Sequence, residues 1–264
     1  MVVKKELLAN IKCWLFDLDG TIYLGDKLIN GALEIIEVMR HQQIPFYFLT
    51  NNSSRSREDY VQKLAGLGLD IPKEKIFSSG QAAALYLQKI NPNAEIFLVG
   101  THSLEEEFIQ HGFQLTDENP DYVVLGFDTT LTYKKLEKLC QFVVEGKPYI
   151  ATHPDINCPT ETGFIPDVGS FIALVAASTG RTPDTIIGKP HTPIIETIVE
   201  KTAYRPEEIA MVGDRLYTDI ALGEAGIATV LVLSGETKKE DVKDSPFKPD
   251  LIVQDVFELL KILK

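Results

Sequence analysis

Cys13-Trp14-Leu15-Phe16-Asp17-Leu18-Asp19-Gly20-Thr21 carries an apolar run straight into two aspartates and a glycine turn. The run is too short for a helix and has no polar alternation, which fits a strand buried on both faces. The pattern repeats along the chain. Ile44–Leu49 runs into Thr50-Asn51-Asn52-Ser53-Ser54, Thr185–Ile187 into Gly188-Lys189-Pro190, and Ile209–Val212 into Gly213-Asp214-Arg215-Leu216-Tyr217-Thr218-Asp219. Thr229–Leu233 reads as a further strand. Helical spacing covers Leu33–Met39, Asp59–Leu67 (with Gly68 as a C-terminal cap), Pro193–Thr202 and Ile220–Ala225. Short apolar strands alternating with helices predict an α/β fold, a doubly wound parallel sheet covered on both faces.

The middle of the chain has its own set of elements. Ile96–Val99, Tyr122–Leu125 and Tyr149–Ala151 read as strands, and Leu104–Gln110, Lys134–Val144 and Ser170–Ser178 as helices. Turn-rich borders lie at Asn91-Pro92-Asn93 and Thr179-Gly180-Arg181-Thr182-Pro183. We therefore expect a core built from residues 1–90 and 184–264, with a smaller α/β domain, residues 91–183, inserted into it.

Composition narrows the function. With 264 residues, 44% hydrophobic and 24% charged, the chain is an ordinary globular one. Acidic residues outnumber basic ones 38 to 26, a net charge of −12. That balance argues against a general nucleic-acid binder and against an anionic membrane surface. No uncharged stretch outruns His41–Ser54, too short to span a bilayer. Lys4 and Lys5 are followed by Glu6, and the apolar run Cys13–Phe16 is only four residues long, so the start does not read as a signal peptide. Cys13, Cys140 and Cys158 are odd in number and widely spaced, which disfavours structural zinc and a disulfide framework. These features together point to a reduced, cytoplasmic protein.

In an open parallel sheet, ligands bind beyond the carboxyl ends of the strands. Four strands are thus expected to deliver Asp17, Asp19, Thr50, Lys189, Asp214 and Asp219 to one edge. Residues two apart on extended backbone point the same way, so Asp17 and Asp19 should share a pocket. Four carboxylates make a dense all-oxygen site that suits Mg²⁺ rather than zinc. Thr50 supplies a donor, Lys189 a positive charge, and the Gly20-Thr21 and Asn51-Asn52-Ser53 turns backbone N–H groups. Donors, a lysine and Mg²⁺ around one carboxylate describe phosphoryl transfer through an aspartyl-phosphate.

Asp17-Leu18-Asp19-Gly20-Thr21, Thr50, Lys189 and Gly213-Asp214 with Asp219 resemble, in order, the four motifs of the haloacid dehalogenase (HAD) superfamily. DLDGTIYLGDKLINGA, FLTNNSSRS, IGKPHTP and MVGDRLYTDI are similar to its NagD and p-nitrophenylphosphatase branch, and the resemblance covers nearly the whole chain. It implies a Rossmann-like core with a large α/β cap inserted between the Thr50 and Lys189 motifs. Asp17 would then be the nucleophile, and Asp19 the acid that protonates the leaving alcohol and the base that activates water. Thr50 and Lys189 would bind phosphoryl oxygens. Mg²⁺ would be held by Asp17, the Asp19 backbone carbonyl and Asp214, with Asp219 beside them.

The same resemblance implies gating by Tyr23 and Asp26, pairing of caps into a homodimer, and a small phosphorylated metabolite as substrate. The loop Ala151-Thr152-His153-Pro154-Asp155 matches a cap loop that faces the active site, with His153 where the family usually has Asn. His153 and Asp155 are thus implied substrate contacts. Two readings of other classes stand beside this one: a receiver-like signalling domain, and a phosphate-binding protein without turnover. The first is usually about half this length, and the second should have lost Asp17, Asp19 or Lys189.

Overall fold

The computed structural model describes residues 8, 10–160 and 162–263; the Lys4-Lys5-Glu6 stretch lies outside them. In chain order the strands are β1 (Cys13–Phe16), β2 (Tyr23–Leu24), β3 (Lys27–Leu28), β4 (Phe46–Thr50), β5 (Ile76–Ser78), β6 (Glu95–Val99) and β7 (Gln114–Leu115). Next come β8 (Tyr122–Leu125), β9 (Tyr149–Ala151), β10 (Asn157–Thr160), β11 (Gly163–Pro166) and β12 (Thr185–Ile186). The last are β13 (Ile209–Gly213), β14 (Ala228–Val232) and β15 (Leu251–Val253).

Two compact units result. One comprises Met1–Thr50, Val61–Phe77 and Ile198–Lys264, the other Asn51–Tyr60 and Ser78–Thr197. A six-stranded sheet runs in the order β15-β14-β13-β1-β4-β5. β1 pairs in parallel with β4 and β13, β13 with β14, and β14 with β15. Every residue of β1, β13 and β14 is buried, the burial expected of central strands with both faces covered. Phe16 lies 6.4 Å from both Trp14 and Phe48, and burying each such ring contributes roughly 2 kcal/mol. Helix Ala32–His41 buries Ala32, Ile35, Ile36 and Met39 and packs on helix Val256–Leu263.

The second unit has a parallel five-stranded sheet in the order β12-β9-β8-β6-β7. Its core gathers Phe97, Val123, Leu125, Phe142, Tyr149 and Val168, with Phe97 and Phe142 edge to face at 5.1 Å. The antiparallel ribbon β10–β11 belongs to the same unit, and its strand residues range from half-buried to exposed.

The α/β class and parallel sheet are as the sequence predicts, with one correction to strand membership. Thr185–Ile186 does not join the sheet of β1, β4 and β13; it pairs in parallel with β9 in the other sheet. A two-residue, half-buried edge strand carries no mark of its neighbours, so the apolar run told only that a strand was there. Among the described residues, no helix is long and apolar enough to cross a membrane.

Candidate active site

In the first unit the chemistry lies just past three adjacent strands. β1 continues into Asp17, whose N–H donates to the Val212 carbonyl at 2.8 Å and so keeps the residue in the sheet ladder. The chain then turns sharply: the Leu18 carbonyl accepts from the N–H groups of Thr21, Ile22 and Tyr23. Gly20 takes φ +84° there, where a side chain would also run into the Asp214 carboxylate. After β13, Asp214 and Asp219 turn back toward Asp17. One carboxylate oxygen from each of Asp17, Asp214 and Asp219 lies within 4.8 Å of the others, and all three residues are buried.

Backbone N–H groups donate to two of these carboxylates. Glu236 N–H donates to Asp214 Oδ2 at 2.6 Å, and Arg215 N–H to Asp219 Oδ2 at 3.1 Å. The Arg215 guanidinium is turned to Glu236, 3.0 Å away. Asp214 Oδ1 is buried and has no hydrogen-bond partner among the described residues. Burial first, and then the Asp219 carboxylate, push Asp214 up to about 7. At this spacing each pair of like charges repels by at least about 3.5 kcal/mol at an effective dielectric near 20. Protonation or a shared cation would relieve that repulsion. The cluster's ligand atoms are all hard carboxylate oxygens, one of them buried and without a hydrogen-bond partner among the described residues, which fits a divalent cation.

Asp19 stands apart from the three. Its carboxylate accepts from the Tyr23 hydroxyl at 3.2 Å, and the fully buried Tyr23 ring carries the Lys63 ammonium 3.9 Å from its centroid. Asp26 is exposed in the β2–β3 turn. Thr50 is buried at the end of β4.

The other expected site residues lie in the second unit and form a network of their own. Asn51 Oδ1 accepts from Lys189 N–H at 2.8 Å, and Asn51 Nδ2 donates to the Lys189 carbonyl at 3.1 Å and to Asp155 Oδ1 at 2.8 Å. Ser79 Oγ donates to the Asn51 carbonyl. His153 is fully buried, with Nδ1 3.0 Å from Thr152 Oγ1 and 3.2 Å from Ser79 Oγ, and Nε2 2.8 Å from Asp167 Oδ1. Asp167 also caps helix Val168–Thr179 by accepting from Val168 N–H. His153, Asp155 and Asp167 have metal-ligand spacing, but all three are hydrogen-bonded to protein. Asn52 builds the turn itself, accepting from Ser54 N–H and Oγ.

A haloacid dehalogenase-like hydrolase family model matches residues 14–114, and a HAD-hydrolase-like model matches residues 186–259. The acid sugar phosphatase of Staphylococcus haemolyticus is 35% identical over 251 residues, 94% of this chain and 95% of that one. The chain belongs to the HAD hydrolases. Among solved structures, 4-nitrophenylphosphatase from Thermotoga maritima is 47% identical at a TM-score of 0.95, covering 98% of this chain and 99% of its own. NagD from E. coli K-12 is 33% identical at 0.86, with 94% and 98% covered. This HAD hydrolase is thus an enzyme of the phosphoric monoester hydrolase class, in the NagD and 4-nitrophenylphosphatase branch.

One part of this HAD site was not expected from the sequence. Ser234-Gly235-Glu236 closes over Asp214: Ser234 Oγ donates to the Gly20 carbonyl at 2.7 Å, and a side chain at Gly235 would strike the Asp214 carboxylate. The signal was available, because these residues directly follow the Thr229–Leu233 run. Ser79 and Asp167, the supports of His153, carried no comparable mark.

Proposed function

We propose that the chain is a Mg²⁺-dependent phosphatase that hydrolyses a small phosphorylated metabolite through an aspartyl-phosphate, with p-nitrophenyl phosphate as surrogate. The observation that carries this reading is the buried Asp17–Asp214–Asp219 cluster with an unsatisfied oxygen on Asp214. Asp17, Asp214, Asp219 and the Asp19 backbone carbonyl would hold the ion, which when bound neutralises phosphate charge and leaves Asp17 free to approach it.

In the first step an Asp17 carboxylate oxygen attacks phosphorus and the bond to the substrate's alcohol oxygen breaks. The Asp19 carboxyl gives its proton to that oxygen. In the second step Asp19 removes a proton from water, the water oxygen attacks the same phosphorus, and the bond to Asp17 breaks. Phosphate leaves and both carboxyl groups return to their starting state. Thr50, Lys189 and the backbone N–H of Gly20 are assigned to phosphoryl oxygens. Asn51, Asn52, His153 and Asp155 are assigned to shaping the loops around them. Residues 91–183 are assigned as the inserted cap that keeps water from the intermediate. Similarity to an acid sugar phosphatase supports sugar phosphates as the first class to try.

The test is phosphate release from p-nitrophenyl phosphate, sugar phosphates, nucleotides, pyridoxal phosphate and phosphoglycolate. It is run with Mg²⁺, with EDTA, and with Asp17→Asn. Turnover that needs the ion and falls about a thousandfold or more in Asp17→Asn supports the reading. Undiminished turnover in that variant would refute it.

A further inference from the structure

The Asn51 side chain is engaged within the protein at both of its nitrogen hydrogens and at its oxygen. An amide offers two N–H bonds and one oxygen; both nitrogen donors are engaged, by Asp155 Oδ1 and the Lys189 carbonyl, and the oxygen accepts from Lys189 N–H. The residue is buried, so these bonds do not compete with water. Resting on the reading of Lys189 given above, we propose that Asn51 is the positioning residue for Lys189, clasping its main chain on both sides of the Cα.

The geometry behind the clasp supports this. A lysine side chain has four rotatable carbons, so its ammonium is placed no better than its Cα. Asn51 fixes that Cα by binding the N–H and the carbonyl that flank it. Asn51 is in turn held at two further points: Asp155 takes its remaining donor, and Ser79 donates to its main-chain carbonyl. Ser79 also lies against His153, whose other ring nitrogen faces the helix-capping Asp167. The chain of bonds therefore ends on the first turn of a helix, a rigid support. Gly188 completes the fit. Its N–H donates to the Thr152 carbonyl at 2.8 Å, and a Cβ built there would come within 2.6 Å of Asn51 Oδ1 and 2.8 Å of His153 Cβ. Only a glycine lets Asn51 come this close.

A double-mutant cycle on the full chain tests the proposal, using p-nitrophenyl phosphate turnover and inhibition by inorganic phosphate. Asn51→Ala and Gly188→Ala should each lower kcat/KM by about ten- to a hundredfold, the scale of a misplacement near 1 Å. Each should also weaken phosphate inhibition. In a Lys189→Ala background both effects should shrink to under about twofold, because the group being positioned is gone. Gly188→Ala removes no hydrogen-bonding group, so it carries the cycle if Asn51→Ala fails to fold. Factors that multiply instead would overturn the proposal and return Asn51 to a role of its own. If Lys189→Ala itself left kcat/KM unchanged, the reading of Lys189 would be what failed.

Discussion

The carboxylate cluster of the first unit and the Asn51–His153 network of the second are both buried and polar, yet they are built on opposite terms. At Asp214 burial and the Asp219 carboxylate push the carboxyl up, and one oxygen has no hydrogen-bond partner among the described residues. Around Asn51 and His153 the donors and acceptors match, and each bond leads to another ending on a helix cap. A buried shortage marks where something from outside must bind; a buried balance marks where the protein holds its own parts still.

This contrast can be broken by substitution. Asp214→Asn should cut Mg²⁺-supported turnover at least about a hundredfold and still make the cation-free protein more stable at pH 8. The sign follows from the raised Asp214 carboxyl. The folded state keeps a proton that the unfolded chain releases near 3.8, so this group costs stability as pH climbs from there to about 7, and the full cost remains above. Melting in EDTA from pH 5 to pH 8 should thus fall more steeply for wild type than for Asp214→Asn, and Mg²⁺ should restore the wild type. Parallel curves would mean the cluster is not short of positive charge.

The balanced network should respond in the other direction. Asp167→Ala removes a helix cap and the partner of a buried imidazole, and urea unfolding should show a loss of about 3 kcal/mol that Mg²⁺ does not repair. A loss below about 1 kcal/mol would show that the network supports little. Gly235→Ala sharpens the comparison within the first unit: its methyl must displace the Asp214 carboxylate, so half-maximal activity should need about tenfold more Mg²⁺. Smallest is Tyr23→Phe, which removes one hydrogen bond to Asp19 and should change kcat about fivefold, roughly 1 kcal/mol. An unchanged kcat would make that bond incidental.

Much of this was legible in the chain, for stated reasons. Tyr122–Leu125 and Tyr149–Ala151 could be read to the residue because a fully apolar run between turns leaves few alternatives. Asp17, Asp214 and Asp219 could be found because a parallel sheet puts its chemistry just past its strands. Sheet membership could not be read for Thr185–Ile186, since pairing is set by tertiary neighbours. Asn157–Pro166 contains two prolines and no alternating apolar pattern, yet it folds as a two-stranded ribbon whose strands, carrying Pro159 and Pro166, are both edges. The hydrogen-bond partners of His153 could not be read at all, because a sequence shows residue types and hides contacts.

That ribbon has a consequence for how this chain can change. No strand residue of β10 or β11 is fully buried, and Phe164 is 71% exposed. Replacing the ribbon therefore removes little of the core that holds either sheet together. Sequence drift at its exposed positions should carry little folding penalty, whereas Cys158 packs against the core of this unit. Gly188, Asn51 and Asp167 allow no such freedom. A designer seeking to alter this enzyme would begin with the ribbon and leave those three alone.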